Sequence, residues 1–446
     1  MKKNQPPPLI RSILIANRGE IAVRIIRTCK EMGLKTVAVY SEPDIDALHV
    51  KLADQAVCIG PAASTASYLN QKALITAALI THCDAIHPGV GFLSENAEFA
   101  AAVREAGLIF IGAEPETIEL LGDKIRAKTT AQEAGLPLIP GSNGAVENID
   151  EAIHIAKKIG LPLIIKAAAG GGGRGMRIIR NMVELEESIR IAAAEAANFF
   201  SDGTIFIEKF MESPRHVETQ VLSDGNGEVI YLGERDCSVQ KNHQKLLEES
   251  LSTAVSPKLR ESIKHDVLRL FHKLKYAGAA TVEFLVENDK HYFMEVNARV
   301  QVEHPVTECT TGVDIIREQI LACSEGRMDI TKDSFAIRGY SLETRLNALT
   351  PGKVTSFIPP AGPFVRTDTF LYPGCTLSPH YDSLAAKVII WAPDRKTGLA
   401  RMSRALREIT IEGIETNLKE QLSILESPQF RSGNFDTRLY GQIIKR

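Results

Sequence analysis

The chain has 446 residues, 44% of them hydrophobic and 24% charged, with a formal charge of −3 at pH 7. That length exceeds what one hydrophobic core supports and implies several domains. The near-neutral charge excludes a general attraction to nucleic acid or anionic membrane, so any phosphate binding must be local.

The opening MKKNQPPPLI reads as a short tail, because prolines stand where a signal peptide carries its apolar run. No later segment approaches the roughly 18 uninterrupted apolar residues of a membrane span. Seven scattered cysteines without CxxC spacing indicate neither a disulfide framework nor a zinc site, and a reducing cytoplasm fits them best.

From 12 to 40 the pattern is strand (SILIAN), a tight turn at Asn17, Arg18, Gly19 and Glu20, an amphipathic helix (IAVRIIRTCKEMG) and a second strand (KTVAVY), which is a βαβ unit. A strand near 55–59, a helix around 68–81, a strand at 84–87, the loop PGVGFLSEN, another helix and LIFIG continue the alternation into an open parallel sheet. After Gly122 the pattern becomes mixed α+β with hairpins. Beyond about 339 it is β-rich (YSLETRLNA, GKVTSFI, GPFVRTDTF, AAKVIIWA) up to a helix at 396–408, so a third domain is expected to begin there.

The glycine run Gly170 to Gly173, followed by Arg174 and Gly175, lies between two β-type segments and opens no helix, so it is neither a Walker loop nor a dinucleotide fingerprint. A β-loop-β flap remains, whose bare backbone can approach phosphates between Lys166 and Arg174; by pattern alone it can also be a linker. In TVEFLVENDKHYFMEVNARVQVEHPVTE, a three-residue turn at Asn288, Asp289 and Lys290 would put Glu283 directly opposite Glu295, with Asn297 on the same face. Facing carboxylates repel unless a cation lies between them, and hard oxygens suit Mg²⁺ held jointly with nucleotide phosphates. The cluster Arg299, Gln301, Val302, Glu303 and His304 offers an Arg fork, a neutral donor and a base for a small anion, or else a polar structural loop. In ERDCSVQKNHQKLLEES, Gln240, His243 and Lys245 could line a phosphate site, whereas Cys237 and a lone histidine read as structural.

These segments, together with ILIANRGEIAVRIIR, HPGVGFLSEN, GDK, IIKAAAGGGGRGM, PRHVETQVL and HYDSLAAK, resemble the biotin carboxylases, the ATP-grasp subunits of bacterial acetyl-CoA carboxylase and the matching domains of pyruvate and acyl-CoA carboxylases. The resemblance runs from about Arg11 to the end of the chain. It implies an α/β and α+β multidomain fold: a Rossmann-like N-terminal domain (1–122), an ATP-grasp domain (123–338) with a mobile glycine-rich lid at about 138–210, and a β-rich C-terminal domain (339–446).

By the same resemblance, Lys124, Lys166, Gly171 and Gly172 would hold ATP phosphates, Glu208, Lys209 and Met211 would surround adenine, and His216, Gln240 and His243 would complete the nucleotide site. Glu283, Glu295 and Asn297 match magnesium positions. Lys245, Arg299, Gln301, Val302, Glu303 and Arg345 match the bicarbonate and biotin site, with Glu303 as general base and Arg345 stabilising the biotin enolate. The implied reaction uses ATP, Mg²⁺ (or Mn²⁺) and bicarbonate to carboxylate biotin through carboxyphosphate, as the first half-reaction of acetyl-CoA carboxylase in fatty acid synthesis. A biotin carboxyl carrier protein and carboxyltransferase subunits are the implied partners, since no AMKM-type biotinyl-lysine motif occurs, and a cytoplasmic homodimer is implied.

Departures from the family pattern are Ala169 in place of a lid glycine, Val90 in place of a common aromatic, Lys241-Asn242 in place of a basic pair, and a shortened loop in RLNALTPGKV beside Arg345. Rival readings are an ATP-grasp ligase for another carboxylate, a nucleotide-binding regulator without catalysis, and an NAD-dependent oxidoreductase. The lone Gly19 in the first βαβ turn counts against the last of these.

Overall fold

The computed structural model describes residues 10–142, 144–146, 148–167, 176–200 and 203–444. Strands β1 (Ser12–Ile15), β2 (Lys35–Ser41), β3 (Gln55–Gly60), β4 (Ala85–His87) and β5 (Ile109–Phe110) form a parallel sheet in the order β3-β2-β1-β4-β5. Both faces are covered, so the strands read as continuous apolar runs. Leu14 packs to one side with Val37 and Val39, while Ile13 and Ile15 pack to the other with Ile21 and Ile25.

Strand order reverses at β1, and the loops after β1 and β4 open the crevice typical of such a switch point. Asn17 ties these loops together, its Nδ2 donating to the carbonyls of Pro88 and Val90 at 2.8 Å. Gly89, at φ +69°, is required there, since a Cβ would fall 2.8 Å from Asn17 Nδ2.

A smaller antiparallel sheet has the order β7-β6-β8, made of β6 (Leu163–Ala167), β7 (Met176–Ile179) and β8 (Ile205–Lys209), with helices Ile149–Ile159 and Leu185–Phe200. Its core, including Ala152, Ala156, Leu163, Ile165, Ile179, Leu185, Ala192 and Ile207, draws only on this segment. The glycine run, with Ala169, Gly171, Gly172 and Arg174, lies outside the described residues.

The main sheet contains β9 (Arg215–Asp224), β10 (Val229–Lys241), β11 (Gln244–Ser250), β12 (Ala277–Glu287), β13 (Lys290–Asn297) and β14 (Tyr340–Asn347). Its order is β13-β12-β9-β10-β11-β14, followed by Leu384–Ala392 and Val365–Thr369. Three strands of the β-rich segment from about 339 thus join this sheet, while Gly352–Lys353 with Thr376–Leu377 and Ser356–Ile358 with Thr410–Glu412 form two-stranded sheets of their own. Tyr340, Leu342 and Leu346 of β14 share a core with Val239 and Leu247, which leaves Glu343 and Arg345 on the opposite face. Thr344 pairs with Leu247 and Arg345 with Lys387. Arg345 is thereby fixed in the sheet that carries Lys245.

All seven cysteines are free. Among the described residues, no helix is long and apolar enough to cross a membrane.

Two buried histidines make the parallel-sheet unit acid-sensitive. Burial lowers His49 to about 4 and His87 to about 3. Both are neutral when folded, while the unfolded chain protonates them below about 6.5. Stability present above that pH is therefore lost as pH falls toward the folded values, by about 2 kcal/mol per histidine at pH 5. Urea unfolding at pH 7.5 and 5.0 checks this, because in His49→Gln the acid-induced loss should shrink by about 2 kcal/mol relative to the parent.

Candidate active site

The β12–β13 hairpin supplies the first part of the site. Its turn has two residues, Asn288 and Asp289, both left-handed at φ 53° and 56°, and Glu287 pairs with Lys290. The ladder then shifts between Phe284–Phe293 and Glu283–Glu295, leaving Met294 as a bulge. Glu283 thus faces Glu295, as the sequence suggests, but through a shorter turn and a compensating bulge. On its other side Glu283 faces Glu218 of β9, which local sequence reasoning missed.

Burial would raise Glu283, yet Lys245 and His216 outweigh it and hold it well below the usual carboxylate range. His216 Nε2 lies 2.7 Å from Glu283 Oε2. Burial raises Glu295, and the charge of Glu283 adds to the rise. A carboxylate pair under that repulsion, with the amide of Asn297 3.0 Å from Glu283 Oε1, is a set of hard oxygen donors that fits a divalent cation.

Lys245 joins three carboxylates, with Nζ at 2.5 Å from Glu218, 2.9 Å from Glu283 and 2.7 Å from Glu303. Glu303 precedes helix His304–Thr311 and is fully buried. Its second oxygen accepts from Arg345 at 2.8 Å, and the Nε of Arg345 donates to Glu248 at 2.6 Å. Burial acts to raise Glu303, but Lys245, Arg345 and Arg235 prevail and keep it well below its ordinary value. Burial pushes Glu248 up to about 7 against the pull of Arg345.

Arg299 is clamped by three side-chain acceptors, Glu95 at 2.8 Å, Gln301 at 2.9 Å and Asn297 at 3.1 Å, and by the Val300 carbonyl at 3.2 Å. The carbonyl of Val302 accepts from buried Lys387 at 2.7 Å. Arginine, lysine, amide and carboxylate therefore converge where a small planar anion could be gripped and deprotonated.

A cavity of about 1520 Å³ runs from this cluster to the small sheet, and Lys124, Lys166, Glu208, His216, Gln240 and His243 line it. Lys124 opens helix Lys124–Glu133, and its charge acts on Glu295. Gln240 Nε2 lies 2.7 Å from His216 Nδ1. Glu208 binds both Lys166 and Lys128. Lys209 and Met211 do not line the cavity: Lys209 Nζ donates to the Leu161 carbonyl at 2.6 Å, and Met211 is buried. Glu95, Lys128, Glu218 and Glu248 had no local signal in the sequence, because each reaches the site from a separate strand, helix or loop.

The geometry agrees with what known proteins show. Residues 9–118 match the biotin carboxylase N-terminal domain, 123–329 the ATP-binding domain of the carbamoyl-phosphate synthase L chain, and 343–442 the biotin carboxylase C-terminal domain. The chain is 49% identical over 442 residues to biotin carboxylase from Nostoc sp., covering 97% of this chain and 99% of that one. A Campylobacter jejuni biotin carboxylase–beta-gamma-ATP complex matches with TM-score 0.92 and 46% identity, covering 97% and 99% of the two chains. The biotin carboxylase domain dimer of Hydrogenobacter thermophilus 2-oxoglutarate carboxylase, solved with MgADP, ADP and bicarbonate, matches with TM-score 0.90 and 42% identity over 98% of each chain. The chain belongs to the biotin carboxylase family, ATP-grasp ligases that carboxylate biotin in an ATP-dependent reaction.

Proposed function

We propose that this chain carboxylates biotin on a separate carrier protein, from bicarbonate and MgATP, as the first half-reaction of an acetyl-CoA carboxylase in fatty acid synthesis. The convergence of Glu303, Lys245, Arg345 and Arg299 at one end of the cavity, beside the Glu283–Glu295 pair, carries the chemical part of this reading. The acceptor rests on the family resemblance alone. The family resemblance supplies the partners: a biotin carboxyl carrier protein, carboxyltransferase subunits and a second copy of this chain in a cytoplasmic homodimer.

Lys124 and Lys166 hold the nucleotide phosphates with the glycine run, and the segment with Glu208, Lys209 and Met211 is the hinge around adenine. His216, Gln240 and His243 complete that site. Glu283, Glu295 and Asn297 hold Mg²⁺, which when bound supplies charge neutralisation to the transferring phosphoryl group.

Arg299, Gln301 and the backbone of Val302 grip bicarbonate while Glu303 takes its proton. The freed oxyanion bonds to the γ-phosphorus as ADP leaves, and Lys245 offsets the charge that develops. Carboxyphosphate then splits to CO₂ and phosphate. Phosphate accepts the ureido proton, the biotin nitrogen bonds to CO₂, and Arg345 stabilises the enolate between them.

The test is ATP hydrolysis by the purified chain with and without bicarbonate and biotinylated carrier. ADP release that requires bicarbonate, rises with carrier and matches acid-labile carboxybiotin is the expected result; indifference to both would defeat the reading. Carboxylated carrier offered to carboxyltransferases with acetyl-CoA, pyruvate or 2-oxoglutarate then decides the acceptor.

A further inference from the structure

Glu208 is a buried carboxylate, its side chain 5% exposed, and ammonium groups take both of its oxygens. Lys166 of β6 holds Oε2 at 2.5 Å, and Lys128 holds Oε1. The two lysines come from different bodies. Lys166 and Glu208 belong to the small sheet, where Ile164 pairs with Glu208. Lys128 belongs to helix Lys124–Glu133, which packs on β13 of the main sheet. Both lysines line the cavity, and their side chains are about a third exposed, at 37% for Lys128 and 36% for Lys166.

A conflict of charge follows. Lys166 cannot give its full charge to a phosphate while it neutralises Glu208. Glu208 cannot be abandoned either, because a buried carboxylate stripped of its partner is the costly half of a broken ion pair. A second cation on the same carboxylate removes the conflict, and Lys128 takes the oxygen that Lys166 does not.

We propose that Lys128 is a positioning residue that keeps Glu208 neutralised, so that Lys166 is released to the nucleotide phosphates when ATP binds. This rests on the assignment of Lys166 to those phosphates. Lys128 itself stays on Glu208, tying the small sheet to the core helix in both states. ATP affinity then depends on Lys128 only through the charge of Glu208.

Isothermal titration of MgATP into the intact protein tests this with Lys128→Met, Lys128→Arg, Glu208→Gln, the Lys128→Met/Glu208→Gln double variant and Lys166→Met. Lys128→Met should weaken binding about tenfold or more, and Lys128→Arg, which preserves the charge, by less than about threefold. In the Glu208→Gln background the same Lys128→Met change should matter less than about threefold, since a neutral amide needs no counter-charge. In steady-state kinetics with ATP varied, Lys128→Met should raise the KM for ATP while kcat stays within about twofold.

Unchanged affinity in Lys128→Met overturns the proposal. So does a loss that persists in full with Glu208→Gln, which would mean that Lys128 binds phosphate itself. Unchanged affinity in Lys166→Met would instead defeat the phosphate assignment beneath it. Weak binding by Lys166→Met beside normal binding by Lys128→Met would leave that assignment standing and remove only the handover.

Discussion

Glu303→Gln is expected to lower kcat for bicarbonate-dependent ATP hydrolysis by about 100-fold or more, with little change in ATP affinity, because a positioned general base contributes roughly 10²–10⁴-fold. Glu303 lies between Lys245 at 2.7 Å and Arg345 at 2.8 Å and is fully buried. Its carboxylate is held ionised and ready to accept a proton, but as a weak base while both cations attend it. An anion arriving at Lys245 and Arg345 draws on the same charges and raises the basicity of Glu303 at the moment a proton must move. Glutamine fills the same space and can accept from either cation through its carbonyl. Lys245 keeps Glu218 and Glu283, and Arg345 keeps Glu248, so the fold should survive. Steady-state kinetics with ATP and bicarbonate varied separately, beside unfolding curves that match the parent, check this. A kcat within about fivefold of the parent would take the base role away from Glu303.

How much of this was legible in the chain depends on the range of each interaction. The parallel sheet could be read because each βαβ step is local: SILIAN, its turn, its helix and KTVAVY follow one another within thirty residues. The Glu283–Glu295 pair could be read because one hairpin makes it, although the route differed. A turn one residue shorter than expected moved the register one way, and the bulge at Met294 moved it back. Neither deviation has a sequence signal as strong as an Asn-Gly turn.

Contacts between distant segments could not be read. Glu218 meets Glu283 across β9 and β12, Glu95 reaches Arg299 from the loop after β4, and Glu248 meets Arg345 across β11 and β14. Strand patterns show which face a residue occupies but not which neighbour the strand will choose. For the same reason the sequence could not show that three strands of the β-rich segment after 339, Tyr340–Asn347, Val365–Thr369 and Leu384–Ala392, would join the sheet that carries Lys245. Family resemblance bridged part of this gap, naming Lys245, Arg299, Glu303 and Arg345 together. It did not name Lys128, whose partner Glu208 lies 80 residues away in sequence.

Lys245→Met should destabilise the protein by about 3 kcal/mol at pH 8, the lower end of what breaking a buried ion pair costs. The lower end applies because each carboxylate around Lys245 retains another partner: the cations Arg235 on Glu218 and Arg345 on Glu303, and the His216 imidazole on Glu283. The pH dependence separates charge from packing. With Lys245 present, Glu283 and Glu303 are held below their ordinary values. Their stabilisation is therefore complete above about pH 4.5 and is lost only as pH falls further. Without Lys245, burial and mutual repulsion dominate, and the same carboxyls take up protons at higher pH. Folded variant then binds protons that the unfolded chain still releases, so its deficit shrinks as pH falls from 8 toward 5. Urea unfolding at pH 8.0, 6.5 and 5.5 measures this, and a deficit equal at all three would mean that Lys245 acts through packing. MgCl₂ supplies an independent arm. If Glu283 and Glu295 take a divalent cation, that ion replaces part of the missing charge, so added Mg²⁺ should raise the midpoint of Lys245→Met more than that of the parent, by mass action on the folded state alone.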